Sequence, residues 1–471
     1  MEGNPQGDGR TGLGRIPSRP IGSAWSRSAL VVAVVVTIAL AGCASRPAGS
    51  DSAGPSDSIR PGATSPTGSA SPMPTADTTP RIASKTVAEI ARLSAVVATN
   101  PTDADAQRDL GFALAQRVRE TADPSLYAPA LSAFDAALRA EPDDALAVAG
   151  VAGIELGKHE FGAALKTAEH AIALSPDLVS AHAARLDALV ELGRYDDAQK
   201  AAGELLGLSV DQTTLARVSY VAELHGHLPE ALAAMRLATT KPGVAPENTA
   251  YVLALLGNLL VYSGDTAGAE ASYAAALNFV AEHAPSLAGE GRLAVGAGRL
   301  DDAIALFQKA GAIVPLPEYV LALGDAQAAS GDAHAAAQSY ALARAEIQLF
   351  EAAGVIVDVD LAIFEADHGD PQSALDHAKA AYATAPTVRA ADAMAWALHR
   401  LGRDAEAADH ATEALRLGSI DPILRYHAGA IEAALGEVDE ARRDLQSALD
   451  LDPGFSAVGA AEARRLLETL G

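Results

Sequence analysis

The 471-residue sequence predicts an all-α protein: an α-solenoid of about ten helix pairs closed by a C-terminal capping helix. Three observations predict it. Glycines recur at intervals of 33 to 38 residues, at Gly157, Gly193, Gly226, Gly264, Gly298, Gly331, Gly369, Gly402 and Gly436. Alanines recur in step with them, a pattern that marks stacked supersecondary units. The composition is 49% hydrophobic but only 4% aromatic, so Ala, Leu and Val fill the apolar share, and these favour closely packed helices over a large aromatic core.

The chain opens on Arg10, Arg15, Arg19 and Arg27, followed by an apolar run from Ala29 to Leu40. A basic leader before a short apolar segment is the order of a secretory signal, and the run is shorter than the roughly 20 residues a spanning helix needs. Leu40-Ala41-Gly42-Cys43 then resembles the lipobox of bacterial lipoproteins. That resemblance implies cleavage before Cys43, the only cysteine, and a lipid on its thiol. Residues 1–42 are accordingly expected to be a signal peptide and Cys43 a lipidation site. The remainder would be anchored to the cell membrane on its extracytoplasmic side, because the arginines stay inside. A single cysteine also excludes an intramolecular disulfide and a multi-cysteine zinc site.

Between Ala44 and Pro80, 30 of 37 residues are Ser, Thr, Pro, Gly or Ala. Such a stretch buries too little apolar area to offset its ordering entropy, so residues 43–84 are expected to be a lipidated, disordered linker.

The array is expected over residues 85–454. Ala130, Ala164, Ala198, Ala231, Ala269, Ala303, Ala336, Ala374, Ala407 and Ala441 stand at one place in ten copies. Seven residues further on stand alanines again, with Leu205 as the exception, and Pro142, Pro176, Pro315, Pro386 and Pro453 end five copies. Small side chains let two antiparallel helices approach. Glycine accepts the positive φ where the first helix of a pair stops, and proline ends the second. Phe134, Met235, Tyr273, Phe307 and Tyr340, four residues after the first alanine, are expected to plug the layer between neighbours.

The runs Leu186–Ala198 and Ala297–Leu306 resemble the tetratricopeptide repeat (TPR), as do the pairs Leu110-Gly111, Leu256-Gly257 and Leu323-Gly324. The resemblance implies a right-handed α-solenoid of TPR-like helix pairs, the first stretched by an insertion around Arg119 to Leu126. Residues 455–471, with apolar Val458, Ala461, Leu466 and Leu467, read as the capping helix that a solenoid requires. Residues Val87 to Val97 read as a helix at the other end.

No phosphate-loop, nucleophile-elbow, zinc-protease or EF-hand pattern occurs, so the sequence reads as a non-enzyme with no cofactor. His225-Gly226-His227 flanks a turn glycine with only Glu223 nearby, which fits a solvated turn better than a metal site. Asp196-Asp197 and Asp301-Asp302 recur at the start of the second helix of a pair, where they complement the helix dipole. A net charge of −25 argues against nucleic acid as a partner.

In the family the first helices of successive pairs line a concave groove that often holds a peptide. That pattern places Tyr220, Tyr251, Asn258, Tyr262, Arg292, Arg389, Trp396, His399 and Arg400 as candidate peptide-groove residues. Asn258 falls where the family often uses asparagine to hold a peptide backbone amide. Trp396 faces either the groove or the packing between repeats, and Arg389, His399 and Arg400 suggest a local basic patch. The other groove positions are largely Ala and Val, for example Ala183 with Val190 and Ala254 with Val261, which suits an apolar or helical segment. The expected function is that of a membrane-anchored scaffold or adaptor for a protein or peptide partner in the cell envelope. The alternatives are an accessory protein that captures a small ligand for an envelope enzyme or transporter, and a self-assembling structural protein.

Overall fold

The computed structural model describes residues 85–243, 245–418 and 420–471; the expected signal peptide, Cys43 and the linker lie outside the described residues. Helix α1 (Lys85–Thr99) precedes ten antiparallel helix pairs. The first four are α2 (Ala104–Thr121) with α3 (Tyr127–Ala140), α4 (Ala145–Gly157) with α5 (Phe161–Leu174), α6 (Val179–Glu191) with α7 (Tyr195–Leu208), and α8 (Gln212–Leu224) with α9 (Leu228–Thr239). Next come α10 (Pro246–Tyr262) with α11 (Thr266–Phe279), α12 (Ala284–Gly296) with α13 (Leu300–Ile313), and α14 (Pro317–Ala329) with α15 (Ala333–Ala352). The last are α16 (Asp358–His368) with α17 (Pro371–Thr384), α18 (Val388–Arg400) with α19 (Asp404–Ala414), and α20 (Pro422–Leu435) with α21 (Val438–Leu451). Helix α22 (Ala457–Leu470) covers the end. No helix of the described residues is long and apolar enough to cross a membrane.

The repeated alanines sit where the helices of each pair cross. All nineteen, together with Leu205, are buried, the most accessible being Ala381 at 7%. The aromatic plugs explain the paired glycines. The Phe134 ring lies against Gly111 of its own pair and Gly150 of the next, and a methyl group on Gly111 would come within 2.7 Å of it. Tyr273 occupies the same place between Gly257 and Gly289. Ring and missing side chain are therefore one packing device, repeated along the array. The insertion of the first pair is a left-handed residue, Ala122, followed by a 3₁₀ turn at Pro124–Leu126.

Aspartates cap many of the helices. Asp144 accepts from the backbone N–H of Leu146 and Ala147, and Asp211 from those of Thr213 and Thr214, satisfying donors with no partner in the first turn. Seven of the nine recurrent glycines adopt positive φ as expected. Two do not. Gly157 ends α4 facing Tyr127, whose ring a methyl would strike at 2.8 Å, and the left-handed residue is instead His159 at φ 59°. Gly369 leaves room for the Glu365 carboxylate, which accepts from the Asp370 N–H at 3.0 Å and pairs with Arg344.

The array coils until distant pairs meet. The Ile356 N–H donates to Lys158 O at 3.1 Å, and His159 Nδ1 lies 2.7 Å from Ile356 O, which accounts for the left-handed backbone at His159. The Val388 N–H donates to the Tyr195 hydroxyl at 3.1 Å. Val388, Ala391 and Leu424 pack into one buried cluster with Leu186, Leu189 and Leu224. At the C-terminal end Gly454 lies against the Arg292 backbone, and Ser456 Oγ donates to Asp325 at 3.1 Å.

Candidate functional site

Because the coil returns on itself, the inner faces of α6, α8, α10, α12, α14, α16, α18, α20 and α22 border a central cavity of about 1500 Å³. Seven of the nine residues singled out in the sequence line it: Tyr220, Tyr251, Asn258, Tyr262, Arg292, Trp396 and Arg400. Arg389 lines an adjoining cavity of about 310 Å³ with Phe112, Ile154, Phe350 and Val357. His399 lines neither; its Nδ1 lies 2.5 Å from Asp404 at the end of α18.

Tyr251, Asn258 and Tyr262 stand on α10, Asn258 two turns after Tyr251 and Tyr262 one turn after that. The Asn258 carboxamide oxygen accepts from the Tyr273 hydroxyl at 2.7 Å and from Arg292 at 2.5 Å, so that oxygen is already engaged. Burial opposes charge on Arg292, but Tyr273, Tyr262 and Asp452 around it outweigh burial and hold it protonated. Trp396 is 3% exposed. Its indole N–H donates to Asp367 at 2.7 Å and its ring stacks on His427 at 3.9 Å, so it both packs between repeats and borders the cavity.

The expected basic patch does not assemble. Arg389 pairs with Asp360 at 3.6 Å, His399 meets Asp404, and Arg400 donates from Nε to Ala366 O at 2.9 Å. Each of the three side chains is answered by a partner from a neighbouring turn or helix. The histidines of His225-Gly226-His227 stack at 6.4 Å, and no three His, Cys, Asp or Glu side chains among the described residues converge as metal ligands. Asp197 meets Arg194 at 2.8 Å and Lys200 at 3.2 Å on the outer surface.

The inner surface is also more acidic than the Ala and Val positions suggested. Twelve acidic side chains line the central cavity against five arginines and no lysine, along with six of the ten tyrosines. Arg217 is spent on Asp187, Nε to Oδ1 at 2.9 Å and Nη2 to Oδ2 at 2.8 Å. The carboxylates pay for their burial in proton affinity: burial, and secondarily Asp421, pushes Glu223 up to about 8, and burial raises Glu318 and Glu191 to about 7 and Asp325 to about 6. Asp421, cap of α20, accepts from the Ile423 N–H at 2.7 Å and is raised to about 7, again mainly by burial. Glu223 was visible in the sequence only as a neighbour of the histidine pair. Its approach to Asp421 depends on the coil.

Among solved structures the chain is similar to a tetratricopeptide repeat protein from Parabacteroides merdae, at 18% identity over 55% of this chain and 98% of that one, TM-score 0.33. It is also similar to YrrB, described as a TPR protein with an unusual peptide-binding site, at 19% identity over 39% of this chain and 92% of that one, TM-score 0.28. A third is PilW, a widely conserved type IV pilus biogenesis factor, at 20% identity over 43% of this chain and 92% of that one, TM-score 0.37. No curated protein matches the sequence. The tetratricopeptide repeat family model matches residues 255–316 and 393–455, which cover α11 to α13 and α19 to α21 with the last eight residues of α10 and of α18. Within those two stretches the chain thus carries tetratricopeptide repeats.

Proposed function

We propose that the protein is a membrane-tethered, extracytoplasmic interaction scaffold without catalytic activity of its own. The observation that supports this most is the array itself: ten helix pairs, a helix at each end, and a fold whose long surfaces serve binding. The lipobox resemblance at Leu40–Cys43 supports the tether, and the Ser/Thr/Pro-rich residues after it support a flexible spacer. Cross-linking the full chain in intact cells tests the reading. A discrete envelope protein captured by the wild type and lost on Cys43→Ser is expected; capture of nothing, or of cytoplasmic proteins only, contradicts it.

The central cavity favours a second reading, in which the coil captures a small ligand and presents it to an envelope enzyme or transporter. An open concave groove would suit an extended peptide, whereas here the inner faces border a cavity with tyrosines and carboxylates. At a ligand concentration 100 times Kd, such capture stabilises the fold by about 2.7 kcal/mol. Thermal unfolding against a panel of small molecules reads this out: a saturable upward shift in Tm supports capture, and the absence of any shift counts against it.

A further inference from the structure

We propose that the cavity of about 310 Å³ between the first three helix pairs and the seventh and eighth binds the hydrocarbon chain of a neutral, hydroxyl-headed amphiphile. This site adjoins the central cavity and does not rest on what that cavity binds.

Two departures from the repeat converge on it. The second helices of the other nine pairs run 11 to 14 residues, whereas α15 runs 20. The added turns of α15 and the connection after it bring Ile347, Phe350, Val355 and Val357 to the cavity wall. The insertion of the first pair brings Ala122, and Tyr127 at its end, to the same wall. Tyr127 packs directly against the buried cluster of Ile347, Val355, Val357 and Phe364. The other pairs stack without such additions, so stacking does not require them. Together they fold an apolar wall over Phe112, Ile154 and Ala184.

The charged groups on the wall are already matched. Arg389 pairs with Asp360 at 3.6 Å, and Asp392 lies 2.9 Å from His427 Nδ1. Glu318 is hydrogen-bonded by Tyr319, Asp421 accepts from the Ile423 N–H, and Arg119 donates to Gln116. A charged head would lose its hydration there with no unanswered opposite charge to replace it. Two hydroxyls are different. Ser180 Oγ is enclosed without a hydrogen-bond partner, and the Tyr127 hydroxyl, beside Gly157, has none among the described residues. Burial pushes Tyr127 up to about 12, so it keeps its proton and remains a donor. A ligand hydroxyl, donor and acceptor at once, satisfies either group.

The rest of the wall sets the chain. A hydrocarbon between close-packed apolar side chains gains dispersion contacts on all sides. Apolar cavities exclude water and accept hydrocarbons, one of roughly 150 Å³ holding benzene, so about 310 Å³ accommodates a chain of roughly ten to twelve carbons.

The full chain is titrated calorimetrically with n-decanol. Decanoate and n-decylammonium are the charged-head controls, and n-butanol is the short-chain control. Saturable binding of n-decanol is expected, at least tenfold tighter than that of any control. Slower exchange of the Ile356 amide is expected with it, because the bond from Ile356 to Lys158 O lies between wall residues Val355, Val357 and Gly157. Ala184→Leu, which fills the cavity, and Phe350→Ala, which opens its wall, are each confirmed folded by circular dichroism. Both are expected to weaken n-decanol at least tenfold, and outer-surface Asp301→Asn to leave it unchanged. Binding of n-decanol unaltered by both cavity variants overturns the assignment, as does no binding of n-decanol at all. Decanoate or n-decylammonium binding as tightly as n-decanol overturns the neutral head, and n-butanol binding as tightly overturns the chain.

Discussion

The Val388 N–H donates to the Tyr195 hydroxyl at 3.1 Å, tying the first residue of the ninth helix pair to the third pair, 193 residues away in sequence. Val388 is 1% and Tyr195 6% exposed, so this bond lies inside the molecule, and it is one of the contacts that turn a repeat array into a coil around a cavity. An N–H in the first turn of a helix has no intrahelical acceptor, and here a side chain from a distant repeat supplies one.

Tyr195→Phe keeps the ring and removes that acceptor. Leaving the buried Val388 N–H unsatisfied is expected to cost about 1–3 kcal/mol, read as a lower midpoint in urea unfolding with circular dichroism. An unchanged midpoint would show that the hydroxyl does not join the two turns.

The layer between repeats rests on the rings wedged against glycines. Phe134→Ala empties the space between Gly111 and Gly150 and is expected to destabilise by about 3–5 kcal/mol. Gly111→Ala, which forces a methyl into the same ring, is expected to destabilise as well, whereas Gly162→Ala, with open space around it, is expected to be neutral or mildly stabilising because alanine favours the helix. Equal stabilities for the two glycine variants would contradict the wedge.

Stability is expected to fall as the pH rises from 5 to 8. Glu223, facing Asp421, Tyr220, Tyr251 and Tyr262, keeps its proton up to about 8 in the fold but loses it near 4.5 once unfolded. A raised carboxyl is a stabilising contribution present below 4.5 and lost as the pH climbs through 8, by up to about 1.4 kcal/mol per pH unit. Glu223→Gln is therefore expected to gain on the wild type by about 1–3 kcal/mol between pH 5 and pH 8 in thermal unfolding. A difference independent of pH would mean that the carboxyl ionises normally.

Cys43→Ser is expected to release the protein from the membrane or leave it unprocessed, because an acyl chain contributes about 0.8 kcal/mol per buried CH₂ and nothing else in residues 43–84 is apolar enough to anchor it. Fractionation and metabolic labelling with a fatty-acid analogue measure this; unchanged retention and size would remove the lipid anchor from the proposal.

The helix pairs were legible because their determinants are local. A buried alanine, a turn glycine and a ring four residues after the alanine recur within each copy, and each acts on its immediate neighbours. Gly157 and Gly369 were misread because one makes room for Tyr127 and the other for a carboxylate, so neither supplies the turn. The inner residues on α8, α10, α12 and α18 were found by their place in the repeat, and seven border one cavity. What the residues could not reveal is how small rotations between pairs add up. That accumulation brings Asp421 to Glu223 and Val388 to Tyr195. It likewise hides why Arg389, His399 and Arg400 do not act together, since Asp360, Asp404 and the Ala366 carbonyl answer them one by one.

The coil closing on itself is the central claim, and amide hydrogen exchange of Ile356 and Val388 in the full chain tests it most directly. Neither N–H has a partner in its own helix pair; one donates to Lys158 O and the other to Tyr195, both across the coil. Both amides are expected to exchange as slowly as those inside the helices. Exchange at the rate of free amides, with the helix interiors still protected, would mean an open array with no central cavity.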